Sequence, residues 1–171
     1  MIDRRKAVFG AAALAITGWA VMRSSEKSSA QSAAKSSAAS DKKFEIVKSD
    51  AEWRQKLTPA QYRVLRKHGT ERPYTSALNK IETAGTYACA GCGLGLFSSK
   101  HKYDSGTGWP SFWQPLPGAV GTSTDYWLGY PRTEVHCRRC GGHQGHVFKD
   151  GPQPTGLRYC INGVAMKFVP A

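Results

Sequence analysis

Cys89-Ala90-Gly91-Cys92-Gly93 is matched, after an interval of 44 residues, by Cys137-Arg138-Arg139-Cys140-Gly141. Two Cys-x-x-Cys-Gly turns can set four sulfurs tetrahedrally around zinc, and the glycine after each second cysteine permits the backbone angles of such a knuckle. Disulfides compete with that reading in an exported chain. A bridge within Cys-x-x-Cys is usually a redox device, however, and two matched turns favour metal. Cys89, Cys92, Cys137 and Cys140 are therefore expected to hold one structural zinc ion per chain, since four cysteines leave no open position for chemistry; the sequence leaves iron open in the same shell. Around these turns 18 Gly and 9 Pro punctuate the chain into short strands, and 40% hydrophobic residues with five Trp suffice for a core. The 171 residues amount to about one domain plus extras, mostly β.

Cys160 is the one cysteine outside the pairs, in Arg158-Tyr159-Cys160-Ile161-Asn162-Gly163. In an extended strand Tyr159 and Ile161 face one way, and Arg158, Cys160 and Asn162 present a guanidinium, a thiol and a carboxamide on the other. A nearby cation favours thiolate, the reactive form. A buried structural cysteine beside a salt-bridging arginine fits this stretch equally well. His143-Gln144-Gly145-His146-Val147-Phe148-Lys149-Asp150 adds two histidines and an aspartate, a set suited to metal binding or proton transfer, or to outer-shell support of the zinc turns.

Ahead of the first pair the pattern is helical. Ser49 or Asp50 caps a short helix carrying Trp53 and Leu57, and Thr58-Pro59-Ala60-Gln61 supplies an N-cap, a first-turn proline and a capping-box Gln. The second helix should run from Pro59 to His68, with Gly69 as its C-cap, and both helices should cover one edge of a sheet. His68 reads as a helix-end cation complementing the dipole rather than as a ligand.

The N-terminus reads as targeting sequence. Arg4-Arg5-Lys6 precedes sixteen uncharged residues, Ala7 to Met22, the pattern of an export signal with a twin-arginine character, although Asp3 stands where Ser or Thr is usual. Cleaved and membrane-anchored forms both remain open, the run being just under a bilayer-spanning length. Ser24 to Lys43, almost wholly Ser, Ala and Lys, reads as a disordered tether. The divisions expected are 1–23 export signal or anchor, 24–43 tether and 44–170 folded domain, working outside the cytoplasm in the periplasm. The net charge of +12 is partly N-terminal, since residues 1–43 hold eight Lys/Arg against three Asp/Glu. The remaining basic residues are dispersed, so no nucleic-acid partner is expected.

Tyr103 to Trp113 is dense in turns and aromatics. Its Asp104-Ser105-Gly106 and Gly108-Trp109-Pro110-Ser111-Phe112, with both cysteine pairs, His143-x-x-His146-Val147-Phe148, Asp150-Gly151-Pro152 and Arg158-Tyr159-Cys160-Ile161-Asn162, resemble the type B peptide-methionine sulfoxide reductases over Phe44 to Val169. The resemblance implies two twisted antiparallel sheets with short flanking N-terminal helices, a structural zinc, and reduction of the R epimer of methionine sulfoxide in oxidised proteins. It implies Cys160 as nucleophile, His146 as acid with His143 assisting, Asp150 orienting them, Arg158 and Asn162 favouring thiolate, and Trp109 and Phe112 as an apolar box for the substrate methyl. The product is a Cys160 sulfenic acid. Two positions depart from the family pattern. Thr107 stands where many members keep a resolving cysteine, so a thioredoxin-like protein or small thiol is the expected reductant. Gly163-Val164-Ala165-Met166 replaces the usual Ser-Ala-Ser-Leu after the asparagine. A zinc-ribbon binding module with a buried, non-catalytic Cys160, or a thiol peroxidase using the same cysteine, are the competing readings; the first leaves the histidine pair without a purpose.

Overall fold

The computed structural model describes residues 44–171, so the segments expected to be an export signal and a tether lie outside the described residues. Two helices open this part, α1 (Asp50–Lys56) and α2 (Pro59–Lys67). Each begins with a complete capping box, Ser49 with Glu52 and Thr58 with Gln61, a device that satisfies two otherwise orphaned N–H groups. The end of α2 differs from expectation by one residue. His68, not Gly69, takes the left-handed conformation at φ 53°, and this turns its side chain toward the sheet, where it pairs with Glu134. Nor does α2 cover a sheet edge. Buried Val64 and Leu65 of α2 meet an interior strand, because Gly142 at that strand's start leaves room for Leu65 at 3.0 Å from where a Cβ would stand.

Nine strands follow: β1 (Gly85–Cys89), β2 (Gly95–Ser98), β3 (Lys102–Tyr103), β4 (Ser111–Phe112), β5 (Val120–Asp125), β6 (Arg132–Cys137), β7 (His143–Phe148), β8 (Arg158–Ile161) and β9 (Met166–Pro170). They form two antiparallel sheets, β2-β1-β9 and β3-β4-β8-β7-β6-β5, which is the mainly β architecture expected. Among the described residues no helix is long and apolar enough to cross a membrane.

The core explains one misplacement. Phe112 is fully buried, stacked on Phe97 with centroids 4.4 Å apart and edge-on to Tyr87 at 4.9 Å. It pairs with Tyr159 in β8, while its neighbour Ser111 pairs with Cys160. Successive strand residues face opposite ways, so Phe112 is core on the side away from Cys160 and does not belong to a substrate box. Removing an aromatic so placed typically costs about 3–5 kcal/mol, which is reason enough for its presence.

The strand that positions the site is β7. Val135 of β6 pairs with Gly145 and His136 with His143, so one step on β6 is matched by two on β7, and Gln144 is the extra residue of a β-bulge. In a regular strand His143 and His146, three apart, would point to opposite faces. The bulge brings their rings to 5.4 Å, on the side of the sheet that carries Cys160. Gly145 is required here: its φ is +156°, and a Cβ would stand 2.1 Å from the Cys160 carbonyl oxygen.

Candidate active site and metal centre

The register of the larger sheet lays out a row. Tyr103, Ser111, Cys160, His146, Glu134 and Ser123 are successive lateral partners from β3 to β5, and residues paired in this way share a face. The thiol of Cys160 is thus flanked by the His146 imidazole on one side and by the Ser111 hydroxyl on the other. Thr107 Oγ1 lies 4.0 Å from the Cys160 sulfur and is itself held by Ser105 at 2.8 Å, so the residue in the resolving-cysteine position does sit beside the thiol.

Electrostatics differ from expectation at the thiol. Burial pushes the Cys160 thiol up, and Thr107 and Arg158 draw it back only in part, so the resting group is protonated at neutral pH. The Asn162 carboxamide is engaged with backbone groups of other segments. Its Oδ1 accepts from the Glu71 amide at 2.9 Å and its Nδ2 donates to the Gln144 carbonyl at 3.0 Å, which makes it a tie between the strand end and two neighbouring segments.

The carboxylates that meet the histidines are not Asp150. Asp150 forms a bidentate pair with Arg158, at 2.9 and 2.7 Å, and Arg158 in turn lies over the Phe148 ring at 4.6 Å. His146 Nε2 bonds instead to Asp125 Oδ2 at 2.7 Å, and Asp125 is fixed by Arg132 at 2.6 Å and by the Trp127 amide at 2.7 Å. Burial lowers the His146 pKa below the ordinary histidine value, with Asp125 opposing that shift. His143 Nδ1 bonds to Glu134 Oε1 at 2.8 Å, and its buried Nε2 has no partner within the described part of the chain. Burial pushes the Glu134 carboxyl up, but the facing His136, His143, His68 and Ser123 outweigh it and hold the group well below the usual carboxylate range.

Sequence reasoning missed Asp125, Glu134 and Glu71. The available signal for Glu134 was an acidic residue inside a strand whose neighbours Val135 and Cys137 are core-like. Glu71 accepts from the amides of Gly163 and Val164, and its carbonyl accepts from the Trp109 indole at 3.2 Å, so one residue sets both the turn after Asn162 and the half-buried Trp109 ring. The departure at Gly163 has a local cause: a Cβ there would meet Ser76 Oγ at 1.9 Å.

The four remaining cysteines converge. Cys89 and Cys140 sulfurs are 3.8 Å apart, Cys92 and Cys137 are 3.5 Å apart, and all four ligand atoms lie within 4.8 Å of one another. Tetrahedral sulfurs around a zinc-sized ion stand about 3.8 Å apart, so these residues fit a metal. Gly93 and Gly141 take φ of 77° and 67° after the second cysteine of each turn. Without a cation the packed thiols cannot all ionise; the pKa values of Cys89 and Cys140 are driven up by their sulfur neighbours and those of Cys92 and Cys137 down. Buried Gln144 donates to the Cys89 sulfur at 3.5 Å, so the bulge residue reaches the four-cysteine cluster while His146, two residues on, is the lateral partner of Cys160.

Residues 57–170 match the family model described as the SelR domain. The chain is 57% identical over 126 residues to the peptide methionine sulfoxide reductase MsrB of Leptospira interrogans, a match covering 73% of this chain and 96% of that protein. It is 56% identical over 126 residues to the MsrB of Agrobacterium fabrum, covering 73% and 93%, and 54% identical over 126 residues to that of Bradyrhizobium diazoefficiens, covering 73% and 91%.

Proposed function

Because this chain belongs to the SelR-domain family of MsrB peptide methionine sulfoxide reductases, we propose that it reduces the R epimer of methionine sulfoxide in oxidised proteins, with Cys160 as nucleophile and His146 as acid. Reduction of methionine sulfoxide with thiol reducing power is what the family does. The observation that carries the finer reading is the direct pairing of Cys160 with His146 across β8 and β7, a thiol and an imidazole on one face of the sheet.

The chemistry follows from the substrate. Sulfoxide sulfur is electrophilic but its oxygen leaves poorly, so the Cys160 sulfur attacks that sulfur while the oxygen gains a proton from His146. The sulfur–oxygen bond of the substrate breaks, methionine departs, and the oxygen remains on Cys160 as a sulfenic acid. Asp125 orients the His146 ring and stabilises its charged form, Glu134 orients the ring of the assisting His143, and Trp109 offers its apolar ring to the methyl group. The Arg158 guanidinium, held in place by Asp150, tempers the cost of forming thiolate, and the Asp150 charge partly offsets that help. The four-cysteine centre is assigned to zinc in a structural role.

Protonation sets a testable pH profile. The neutral thiol–imidazole pair and the thiolate–imidazolium pair contain the same number of protons, so kcat/KM should be flat between the lowered His146 pKa and the raised Cys160 pKa. It should fall below the first, where a proton too many is bound, and above the second, where the acid has lost its proton. Asp125→Asn removes the group that raises the His146 pKa, and so should shift the acid limb to lower pH and depress the plateau by about 10²–10⁴-fold, the usual worth of a positioned acid. An unchanged acid limb would remove His146 from the proton transfer.

Recycling should require an external thiol, since Thr107 offers none. One equivalent of each sulfoxide epimer, added to enzyme free of reductant, should yield methionine from the R epimer alone and a dimedone-trappable acid at Cys160 with the metal retained. An internal disulfide to Cys89, Cys92, Cys137 or Cys140 would mean that the metal site supplies the resolving thiol. Turnover of the S epimer would overturn the stereochemical assignment.

The Arg4-Arg5 pair and the Ala7–Met22 run support export, with the domain acting beyond the cytoplasm. Cell fractionation should recover the protein in the periplasm or on the membrane; recovery in the cytosol alone would overturn this.

A further inference from the structure

We infer that His68, Glu134 and His143 form a second metal site, which binds a divalent transition-metal cation through two imidazoles and a carboxylate where the end of α2 meets β6 and β7. The three residues come from three elements and offer ligand atoms that all lie within 4.8 Å of one another. Nδ1 of His143 and Nδ1 of His68 both approach the same oxygen, Glu134 Oε1, at 2.8 and 3.1 Å. Ligand atoms around a tetrahedral ion with bonds of about 2.0–2.1 Å stand roughly 3.3 Å apart. The two nitrogen–oxygen separations need only widen by a few tenths of an ångström, while the histidine nitrogens swing toward a common centre.

Rigidity and access are divided between the ligands as a binding site requires. The side chains of Glu134 and His143 are 9% and 2% exposed, whereas that of His68 is 60% exposed, so two ligands are set by the sheet and the third adjusts at the solvent boundary. The second oxygen of Glu134 accepts from Ser123 and faces His136 Nδ1 at 3.8 Å, outer partners that fix the carboxylate plane. Two histidines and a glutamate leave further coordination positions open, and imidazole with carboxylate suits zinc, nickel, copper or ferrous ions over calcium or magnesium. Containing no thiolate, the site is chemically distinct from the four-cysteine centre.

Binding has a consequence for the reaction. A cation on Nδ1 holds the His143 proton on Nε2 and withdraws the ring from proton exchange beside Cys160, so occupancy should inhibit. That consequence rests on the role proposed for His143; the binding itself does not.

Cobalt distinguishes the two. Zinc-loaded full-length protein titrated with Co²⁺ should take up one further ion per chain, giving weak visible d–d bands without an intense thiolate-to-cobalt band, and reductase activity should fall as the bands grow. His68→Asn keeps a residue that tolerates the left-handed cap and should retain zinc and basal activity while binding Co²⁺ at least about tenfold more weakly, given that even outer-shell losses cost 10–100-fold. No extra ion in the wild type, equal Co²⁺ affinity in His68→Asn, or a thiolate charge-transfer band from displaced zinc would each overturn the site. Binding lost in His68→Asn but without inhibition in the wild type supports the site and counts against the role given to His143.

Discussion

Cys160→Ser should abolish methionine sulfoxide reduction, lowering kcat/KM by about four orders of magnitude or more, as expected when the nucleophile of a catalytic unit is removed. A serine hydroxyl keeps the size of the side chain but remains protonated at every working pH, so no anionic attack on the sulfoxide sulfur is available. The fold should be unaffected. The position is half-buried, its backbone pairing with Ser111 and His146 is independent of the side chain, and Thr107 Oγ1 4.0 Å from the sulfur can meet a hydroxyl. Steady-state assays on both sulfoxide epimers and on hydrogen peroxide, beside a melting curve, would check this. A variant that melts like the wild type and still turns over at more than roughly one per cent of its rate would transfer the reaction to another thiol. Peroxidase activity exceeding sulfoxide reduction in the wild type would favour the peroxidase reading instead.

The second large effect concerns metal removal. Stripping the ion, or replacing both Cys137 and Cys140 with alanine, should unfold the domain at ordinary temperature. A structural zinc of this kind contributes about 10–16 kcal/mol in apparent terms, comparable to or larger than the whole net stability of about 5–15 kcal/mol. The geometry gives a reason to expect the upper part of that effect. Cys89 ends β1 of the small sheet with Cys92 just beyond it, Cys137 ends β6 of the large one with Cys140 just beyond it, and an ion would join two turns whose sulfurs lie within 4.8 Å of one another. Activity should disappear with the fold, since Gln144, which donates to the Cys89 sulfur, sits between the two histidines. Circular dichroism and elemental analysis during chelator titration would follow both. Purified protein that is metal-free, cooperatively folded and active would overturn the structural assignment.

Much of the architecture was legible because it is encoded locally. The capping boxes at Ser49/Glu52 and Thr58/Gln61 operate within one turn of helix, and the Cys-x-x-Cys-Gly turns within five residues, so spacing alone reports them. The same holds for the alternation that set Cys160 opposite in orientation to Tyr159 and Ile161, and for the cysteine count that leaves Cys160 without a resolving neighbour at Thr107. Local pattern failed by a single residue at the end of α2, where His68 accepts the strain of a left-handed cap and gains Glu134 as a partner.

Pairing between distant strands decided the rest. The orientation of Phe112 depends on the register of a two-residue strand against β8, which the run of aromatics from Tyr103 to Trp113 does not contain. Whether His143 and His146 face together depends on a bulge created by how β7 pairs with β6, and the partners of those histidines, Asp125 and Glu134, lie 21 and 9 residues away on other strands. Asp150 was the nearest acidic residue in sequence, but Arg158, its pairing partner near β8, holds it in a bidentate bridge. The physical reason is common to all of these. Helix caps and metal turns satisfy their hydrogen bonds among neighbours in the chain, whereas a sheet satisfies them between segments far apart, so the sequence determined which groups this protein has for its chemistry and only the tertiary register decided which of them meet.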